Sequence, residues 1–146
     1  MTIRLGIDAG DARIGVALNQ GSLCLPIETV QNSDKAAQEI ADIAASRSAT
    51  AIYVGLPLSL SGSLTQSSQK AVALAKQIQD LGLTVRLIDE RLTTKSAQAR
   101  FHQAGKNIKN SRSQIDAAAA AVILEFAIDS EKDGNLAGKT LEEIHE

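Results

Sequence analysis

The chain has 146 residues, with 15 basic and 17 acidic side chains, so its formal charge is −2, and 44% of its residues are hydrophobic. This length suits one domain with its own core. A single cysteine excludes a disulfide framework and a zinc site built on cysteines. Only Tyr53, Phe101 and Phe126 are aromatic, which argues against binding single strands by base stacking. A carboxylate as early as Asp8 argues against a signal peptide, and the longest apolar run, Ala117 to Leu124, is too short to span a membrane.

The first thirty residues predict three strands connected by short turns. Apolar residues alternate along Ile3 to Asp8, which is typical of a strand with one buried face. Further strands are predicted over Ile14 to Leu18 and Leu23 to Val30, with turns at residues 11–13 and 19–22. Strands connected this closely form an antiparallel meander.

After residue 31 the spacing of the apolar residues changes from that of a strand to that of a helix. Asn32, Ser33 and Asp34 are candidate N-caps of a helix that buries Ala36, Ile40, Ile43 and Ala44. The elements predicted after it are a strand at Ala51 to Leu56 stopped by Pro57, a helix at Leu64 to Leu81 capped by Gly82, a strand at Leu83 to Asp89, a short helix at Thr94 to Ala104 and an apolar helix at Ser113 to Ser130. Residues 131–146 carry five acids and two bases. We interpret them as an acidic tail, with a helical turn at 141–144, that follows a single domain of residues 1–130.

This order predicts an α/β fold with a mixed five-stranded sheet, three antiparallel strands followed by parallel βαβ units, and helices on its faces. Right-handed crossovers make the later strands parallel to the first. Asp8, Pro57 and the Asp89-Glu90 pair then lie at the carboxyl ends of neighbouring parallel strands. Open α/β sheets carry their sites at this edge.

The acids at this edge have structural readings as well as functional ones. Asp8, between Gly6 and Gly10, can be a turn former or a site residue. Asp89 and Glu90 point to opposite faces of the sheet, so only one can enter a shared cleft. The other can pair with Arg86 or Arg91, or cap the next turn, and strand parity does not choose between the two.

Asp116 opens the last helix. It is the third residue of a capping box if Ser113 is the N-cap, and an acid facing the sheet edge if Ser111 is the N-cap. Three converging carboxylates would repel one another unless cations or protons offset their charge. Oxygen ligands of this kind suit Mg²⁺ or Mn²⁺, and two such ions about 4 Å apart can promote phosphodiester hydrolysis.

The near-neutral total conceals a basic segment. Residues 86–112 contain seven bases and two acids, a charge of +5, which leaves −7 for the rest of the chain. Bases beside an acidic metal site can bind a phosphate backbone, although a solvated basic helix and loop would have the same composition. The candidate nucleic-acid contacts are Arg13, Arg91, Lys95, Lys106, Lys109 and Arg112.

Four motifs in order resemble those of the YqgF family, RuvC-like proteins with the RNase H fold that are described as candidate pre-16S rRNA nucleases. The motifs are Leu5-Gly6-Ile7-Asp8-Ala9-Gly10 with Arg13-Ile14-Gly15-Val16-Ala17, Val54-Gly55-Leu56-Pro57-Leu58, Asp89-Glu90-Arg91-Leu92-Thr93-Thr94, and Ile115-Asp116-Ala117-Ala118-Ala119-Ala120. The resemblance implies that Asp8, Glu90 and Asp116 are the catalytic, metal-binding set, with Glu90 preferred to Asp89. It also implies that the Gly-Leu-Pro loop and Arg91 border the substrate.

By the same resemblance the protein is a cytoplasmic nuclease that uses Mg²⁺ or Mn²⁺ on structured nucleic acid, chiefly precursor ribosomal RNA, with branched DNA as another possible substrate. The sequence departs from the family at Ala9 and Ala12, and at Ser59-Leu60-Ser61-Gly62, where many members have Asn-Met-Asp-Gly. Two alternatives stay open: a non-catalytic nucleic-acid or ribosome-associated factor on this fold, and an ATPase whose phosphate loop is Gly6 to Gly10. The sequence leaves the oligomeric state open.

Overall fold

The computed structural model describes residues 2–93 and 112–144, with side chains from Ala117 onward in the second range. Five strands form one sheet in the order β3-β2-β1-β4-β5. Their bounds are β1 Ile3–Ala9, β2 Arg13–Gln20, β3 Leu23–Gln31, β4 Ala49–Leu56 and β5 Val85–Asp89. β1, β2 and β3 pair antiparallel, whereas β4 is parallel to both β1 and β5. The predicted mixed sheet is confirmed, and the predicted helix at 94–104 lies outside the described residues.

Helices cover both faces of the sheet. Helices α1 (Ala36–Arg47) and α2 (Gln66–Asp80) pack on the face that carries Leu5, Ile7 and Val54. Helix α3 (Arg112–Ser130) packs on the other face, against Ala17 and Tyr53. One short 3₁₀ turn, at 90–92, directly follows β5, and another, at 141–143, comes after α3. Within the described parts of the chain, no helix is long and apolar enough to cross a membrane.

The predicted N-caps of α1 are wrong. The helix begins at Ala36, and no side chain caps it. Asn32 donates its amide to the Gly10 carbonyl at 2.7 Å, and the Ser33 hydroxyl accepts from the Lys35 N–H at 3.2 Å. These side chains are therefore used in the turn before the helix. In α2 the predicted start at Leu64 moves to Gln66, because Thr65 and Ser68 form a reciprocal capping box.

Helix α3 runs antiparallel to β1. At one end, Arg4 at the start of β1 forms an ion pair of 3.0 Å with Glu131, which follows the helix. In the middle, the Gly6 backbone lies against Ala120 and Leu124. The first turns of α3 are therefore directed towards the carboxyl end of β1, the edge of the sheet where Asp8 lies.

The segment interpreted as a tail packs against the sheet over its described residues, 131–144. The Tyr53 hydroxyl, which is buried, donates to Glu131 and accepts from the Ala137 N–H at 3.0 Å. Lys139 pairs with Leu87 through two backbone hydrogen bonds of 2.8 and 2.9 Å. The acidic composition of the segment concealed this packing, which combines backbone hydrogen bonds and the tyrosine hydroxyl with a few apolar side chains, Ala137, Leu141 and Ile144. A 3₁₀ turn at Leu141–Glu143 corresponds to the predicted helical turn.

Candidate active site

Asp8 and Glu90 meet at the carboxyl edge of the sheet. Asp8 lies in β1, Glu90 follows β5 directly, and β4 lies between the two strands. The two carboxyl groups share a hydrogen bond. Gly55 of β4 makes room for this contact, because a Cβ there would lie 2.9 Å from Glu90 Oε1 and 2.5 Å from Ile123 Cδ1.

The pair has a strongly raised pKa at one of its members. Burial, the largest cause, acts together with the Asp8 charge, the hydrogen bond to Asp8 and the Asp89 charge to raise the pKa of Glu90 to about 7. Two touching carboxyl groups cannot both be ionised without compensation, so the site retains a proton or attracts a cation.

Asp89 has a different partner. Its carboxylate accepts three hydrogen bonds from the Arg91 guanidinium, of 3.0 and 3.1 Å from Nε and 2.7 Å from NH2, and one of 2.9 Å from the Arg91 backbone N–H. The hydrogen bond from the guanidinium is the main reason that the pKa of Asp89 is lowered. Strand parity could not decide which of the two acids enters the shared cleft. In the structure Glu90 contacts Asp8, whereas Asp89 pairs with Arg91.

The two described arginines among the predicted nucleic-acid contacts also lie at this edge. Arg91 donates from NH1 to the Leu60 carbonyl at 3.2 Å, which connects the end of β5 to the loop after β4. Arg13 begins β2, and Gly15, two residues later, pairs with Asp8. Side chains two apart in a strand share a face, so Arg13 lies on the same face as the acid pair.

For several predicted site residues the structure describes no side-chain contacts. Lys95, Lys106 and Lys109 lie outside the described residues, and Arg112 and Asp116 are described only as backbone of α3. Residue 116 is one helical turn before Ala120, in the direction of the carboxyl edge. Among the side chains that the structure describes, no three His, Cys, Asp or Glu residues are grouped to hold a metal ion.

Sequence reasoning missed two features of this edge. Gly55 provides the space for Glu90; the family motif contains this glycine, but the sequence did not indicate that it makes room for the acid. Lys70 of α2 forms an exposed ion pair of 2.9 Å with Asp11 in the loop after β1, a contact that no local sequence pattern indicates. Asp11 thus contributes a second, exposed carboxylate near Asp8 in the chain.

The raised pKa of Glu90 predicts that the metal-free protein loses stability as pH rises. The folded state holds the proton up to about pH 7, whereas an unfolded chain releases it near the ordinary value of 4.5. The contribution of Glu90 to the free energy of unfolding is therefore complete below pH 4.5 and is lost between these values, by about 3 kcal/mol.

Urea unfolding in EDTA at a series of pH values checks this prediction against Glu90→Gln, in which the group no longer titrates. The difference in unfolding free energy between the two proteins should change across this window, and Mg²⁺ should offset the loss at pH 8. If the unfolding free energies of the two proteins changed with pH in parallel, the raised pKa of Glu90 would be contradicted.

The sheet order, its mixed pairing and the acids at its carboxyl edge define an RNase H-like protein. Solved structures agree on the fold. The chain is similar to a T. thermophilus RuvC in complex with a Holliday junction substrate, with a TM-score of 0.60, 14% identity and coverage of 88% of this chain and 93% of that one. A second Thermus thermophilus RuvC structure matches with a TM-score of 0.56, 15% identity and coverage of 88% and 96%. The fold is therefore RuvC-like.

Sequence comparison then identifies the family. The family model RuvX, described as Holliday junction resolvase, matches residues 2–130, and the chain belongs to this family. A protein of Leifsonia xyli subsp. xyli, described as a candidate pre-16S rRNA nuclease, is 47% identical over 89% of this chain and 87% of its own length. A protein of Cutibacterium acnes with the same description is 37% identical over 90% and 85%. The family resemblance expected from the four motifs is confirmed.

Proposed function

We propose that this protein is a metal-dependent nuclease that hydrolyses phosphodiester bonds in structured nucleic acid. Its preferred substrate is the 5′ end of precursor 16S ribosomal RNA, which implies action in the cytoplasm. The observation that carries the proposal is the contact between Asp8 and Glu90 at the carboxyl edge of a RuvC-like sheet. Relatives described as candidate pre-16S rRNA nucleases, at up to 47% identity, support the choice of substrate.

The donor set fits a hard divalent cation. Asp8 and Glu90 present only carboxylate oxygens, and their mutual repulsion is relieved when a cation replaces the shared proton. Asp116 lies on α3 one helical turn before Ala120, towards this edge, and it would complete the set of metal ligands. When Mg²⁺ or Mn²⁺ is bound, it supplies a Lewis acid that makes water a better nucleophile and stabilises charge on the phosphate.

The residues of the chain orient the substrate. Arg13 and Arg91 lie at the same edge as the acids and would contact phosphate oxygens of the substrate. Lys95, Lys106, Lys109 and Arg112 extend this basic surface in the proposal. Contacts of this kind fix position and register without reading the base sequence. Asp89 is a positioning residue, because it holds the Arg91 guanidinium in place by hydrogen bonds from Nε and NH2.

Resolution of four-way DNA junctions is the second candidate function. It is favoured by the description of the RuvX family as Holliday junction resolvase. The phosphate contacts proposed here would suit either nucleic acid.

Cleavage of both substrates in one experiment tests the proposal. Precursor 16S rRNA and a synthetic four-way DNA junction are incubated separately with the protein and Mn²⁺, and with EDTA as the control. We expect Mn²⁺-dependent cleavage, faster on the RNA. Faster cleavage of the junction would favour the second function. Binding of either substrate with no products in Mn²⁺ would contradict the nuclease and favour a non-catalytic factor.

A further inference from the structure

The strand that leads into Glu90 lies at the edge of the sheet. Among the five strands, β5 pairs only with β4, and that pairing ends where Leu56 lies opposite Asp89. In the 3₁₀ turn that follows, Glu90 to Leu92, no residue is fully buried. The position of Glu90 beside Asp8 therefore depends on what holds the outer side of β5.

A cavity of about 530 Å³ lies along the end of β5. Ile88, Asp89 and Arg91 are part of its wall, together with Phe126 of α3 and Lys139. Dispersion contacts act only at close range, so a side chain that lines a cavity is held on fewer sides than a core residue. The last residues of β5 have space to shift here unless another contact fixes the strand.

Three residues of the C-terminal segment, 137–139, provide such a contact, and we call them the edge strap. Lys139 and Leu87 exchange two backbone hydrogen bonds, of 2.8 and 2.9 Å. Gly138 has a left-handed φ of +75°, and a Cβ there would overlap the Leu87 carbonyl oxygen and lie 2.8 Å from Ile88 Cδ1. Because Gly138 has no side chain, the strap can lie directly on β5 at Leu87, three residues before Glu90.

The edge strap is anchored on both faces of the sheet. The Ala137 N–H donates to the Tyr53 hydroxyl at 3.0 Å, and Ala137 is buried with Tyr53 and Ile88 on the face that α3 covers. Just after the strap, Leu141 and Ile144 pack against the core on the face of α1 and α2. The chain therefore encloses the outer edge of β5 from both sides. The strap lies after residue 130, where the match to the family model ends.

We propose that the edge strap is a positioning element of the metal site, because it fixes the end of β5 so that the Glu90 carboxylate stays beside Asp8. The inference rests on the proposed nuclease function and adds to it a segment outside the matched family domain. Groups that orient metal ligands from a second layer of contacts control metal affinity, and their loss commonly weakens it by about 10- to 100-fold. A shift of β5 at Leu87 would displace Glu90, since an extended strand connects the two.

The test compares Gly138→Ala with Gly134→Ala in the whole chain. Both glycines have a left-handed φ, +75° and +78°, so an added methyl group strains the backbone alike. A Cβ at residue 134 has no atom within 4 Å, whereas a Cβ at residue 138 presses on Leu87. We measure Mn²⁺ affinity by electron paramagnetic resonance without nucleic acid. It should fall at least about tenfold in Gly138→Ala and keep the wild-type value in Gly134→Ala.

Cleavage and a second variant extend the comparison. Because both acids remain in Gly138→Ala, a higher Mn²⁺ concentration should restore most of its cleavage rate, with the KM for nucleic acid unchanged. Tyr53→Phe keeps the ring in the core but removes the hydroxyl that accepts from the Ala137 N–H. It loosens the strap without adding an atom next to β5, so it should weaken Mn²⁺ binding in the same direction. This variant decides the inference if Gly138→Ala does not fold.

Amide hydrogen exchange in EDTA separates the strap from the nuclease function. The N–H groups of Arg91 and Thr93, which bond to Asp89 and to the Glu90 carbonyl, should exchange faster in Gly138→Ala than in Gly134→Ala. Those of β1 and β2 should stay protected, because only the end of β5 is released. A wild type that binds no Mn²⁺ would contradict the nuclease, and exchange would then decide the inference about the strap.

Two results would overturn the inference. The first, where wild type binds Mn²⁺, is equal Mn²⁺ affinity in the two glycine variants. The second is exchange that rises equally throughout the sheet in Gly138→Ala, or that does not rise at all, because the strap would then stabilise the fold without positioning Glu90.

Discussion

Asp8→Asn is expected to abolish cleavage and to stabilise the metal-free protein. The substitution removes a metal-binding carboxylate, so cleavage in Mn²⁺ should fall at least about a thousandfold. It also removes the charge that touches Glu90 and contributes to its raised pKa. The unfolding free energy in EDTA at pH 8 should therefore increase by about 1 kcal/mol.

Asp11→Asn is the matched control for this prediction. It removes the same charge three residues away, from a side chain that is 86% exposed and paired only at the surface with Lys70. Surface pairs contribute little, so both the cleavage rate and the stability should stay near wild type. Loss of stability in Asp8→Asn, with activity lost only in proportion to unfolding, would show that Asp8 has a structural role instead.

Gly6→Ala should cause a large loss of stability. The added Cβ would lie 2.7 Å from the Ala120 carbonyl oxygen and 2.7 Å from Leu124 Cβ. Helix α3 must move away from β1 to admit it, at a cost of about 3 kcal/mol. The same movement displaces the first turns of α3 from the acid pair, so cleavage should fall in the protein that remains folded.

Gly82→Ala provides the comparison, measured by urea unfolding. Gly82 has a φ of +94° and no atom within 4 Å of an added Cβ, so it tests backbone strain without a clash. Its cost should be about 1 kcal/mol, with cleavage unchanged. Equal stability of Gly6→Ala and wild type would contradict the close packing of α3 on β1.

The strand and helix pattern could be predicted because it depends on local periodicity. Alternating apolar residues predicted β1, a continuous apolar run predicted β4, and Gly82 was correctly placed after α2, where its N–H donates to the Gln79 carbonyl at 2.9 Å. The N-terminus of α1 could not be predicted, since Asn32 binds Gly10, a residue distant in sequence. The packing of residues 131–144 depends on the Tyr53 hydroxyl, whose partner in the fold no local pattern indicates.

The sequence could predict where the site lies in the fold, but it could not predict which acid contacts Asp8. Topology alone places Asp8 and Glu90 at one edge, because parallel strands end there together. The choice between Asp89 and Glu90 depends on which face α3 covers and on the space at Gly55, and both are tertiary facts. The family resemblance preferred Glu90, and the observed contact with Asp8 supports that preference without testing its role in catalysis.

The cleavage rates of Asp8→Asn, Glu90→Gln and the double variant, measured in Mn²⁺ on the same precursor RNA, test most directly whether the two carboxylates act as one catalytic unit. Residues that act as a unit are strongly non-additive, because removing the first already removes the function of the second. We predict that each single variant loses almost all activity and that the double variant is no slower than either. A double variant whose loss is the product of two moderate losses, or a Glu90→Gln protein with wild-type activity, would contradict a shared metal site at Asp8 and Glu90.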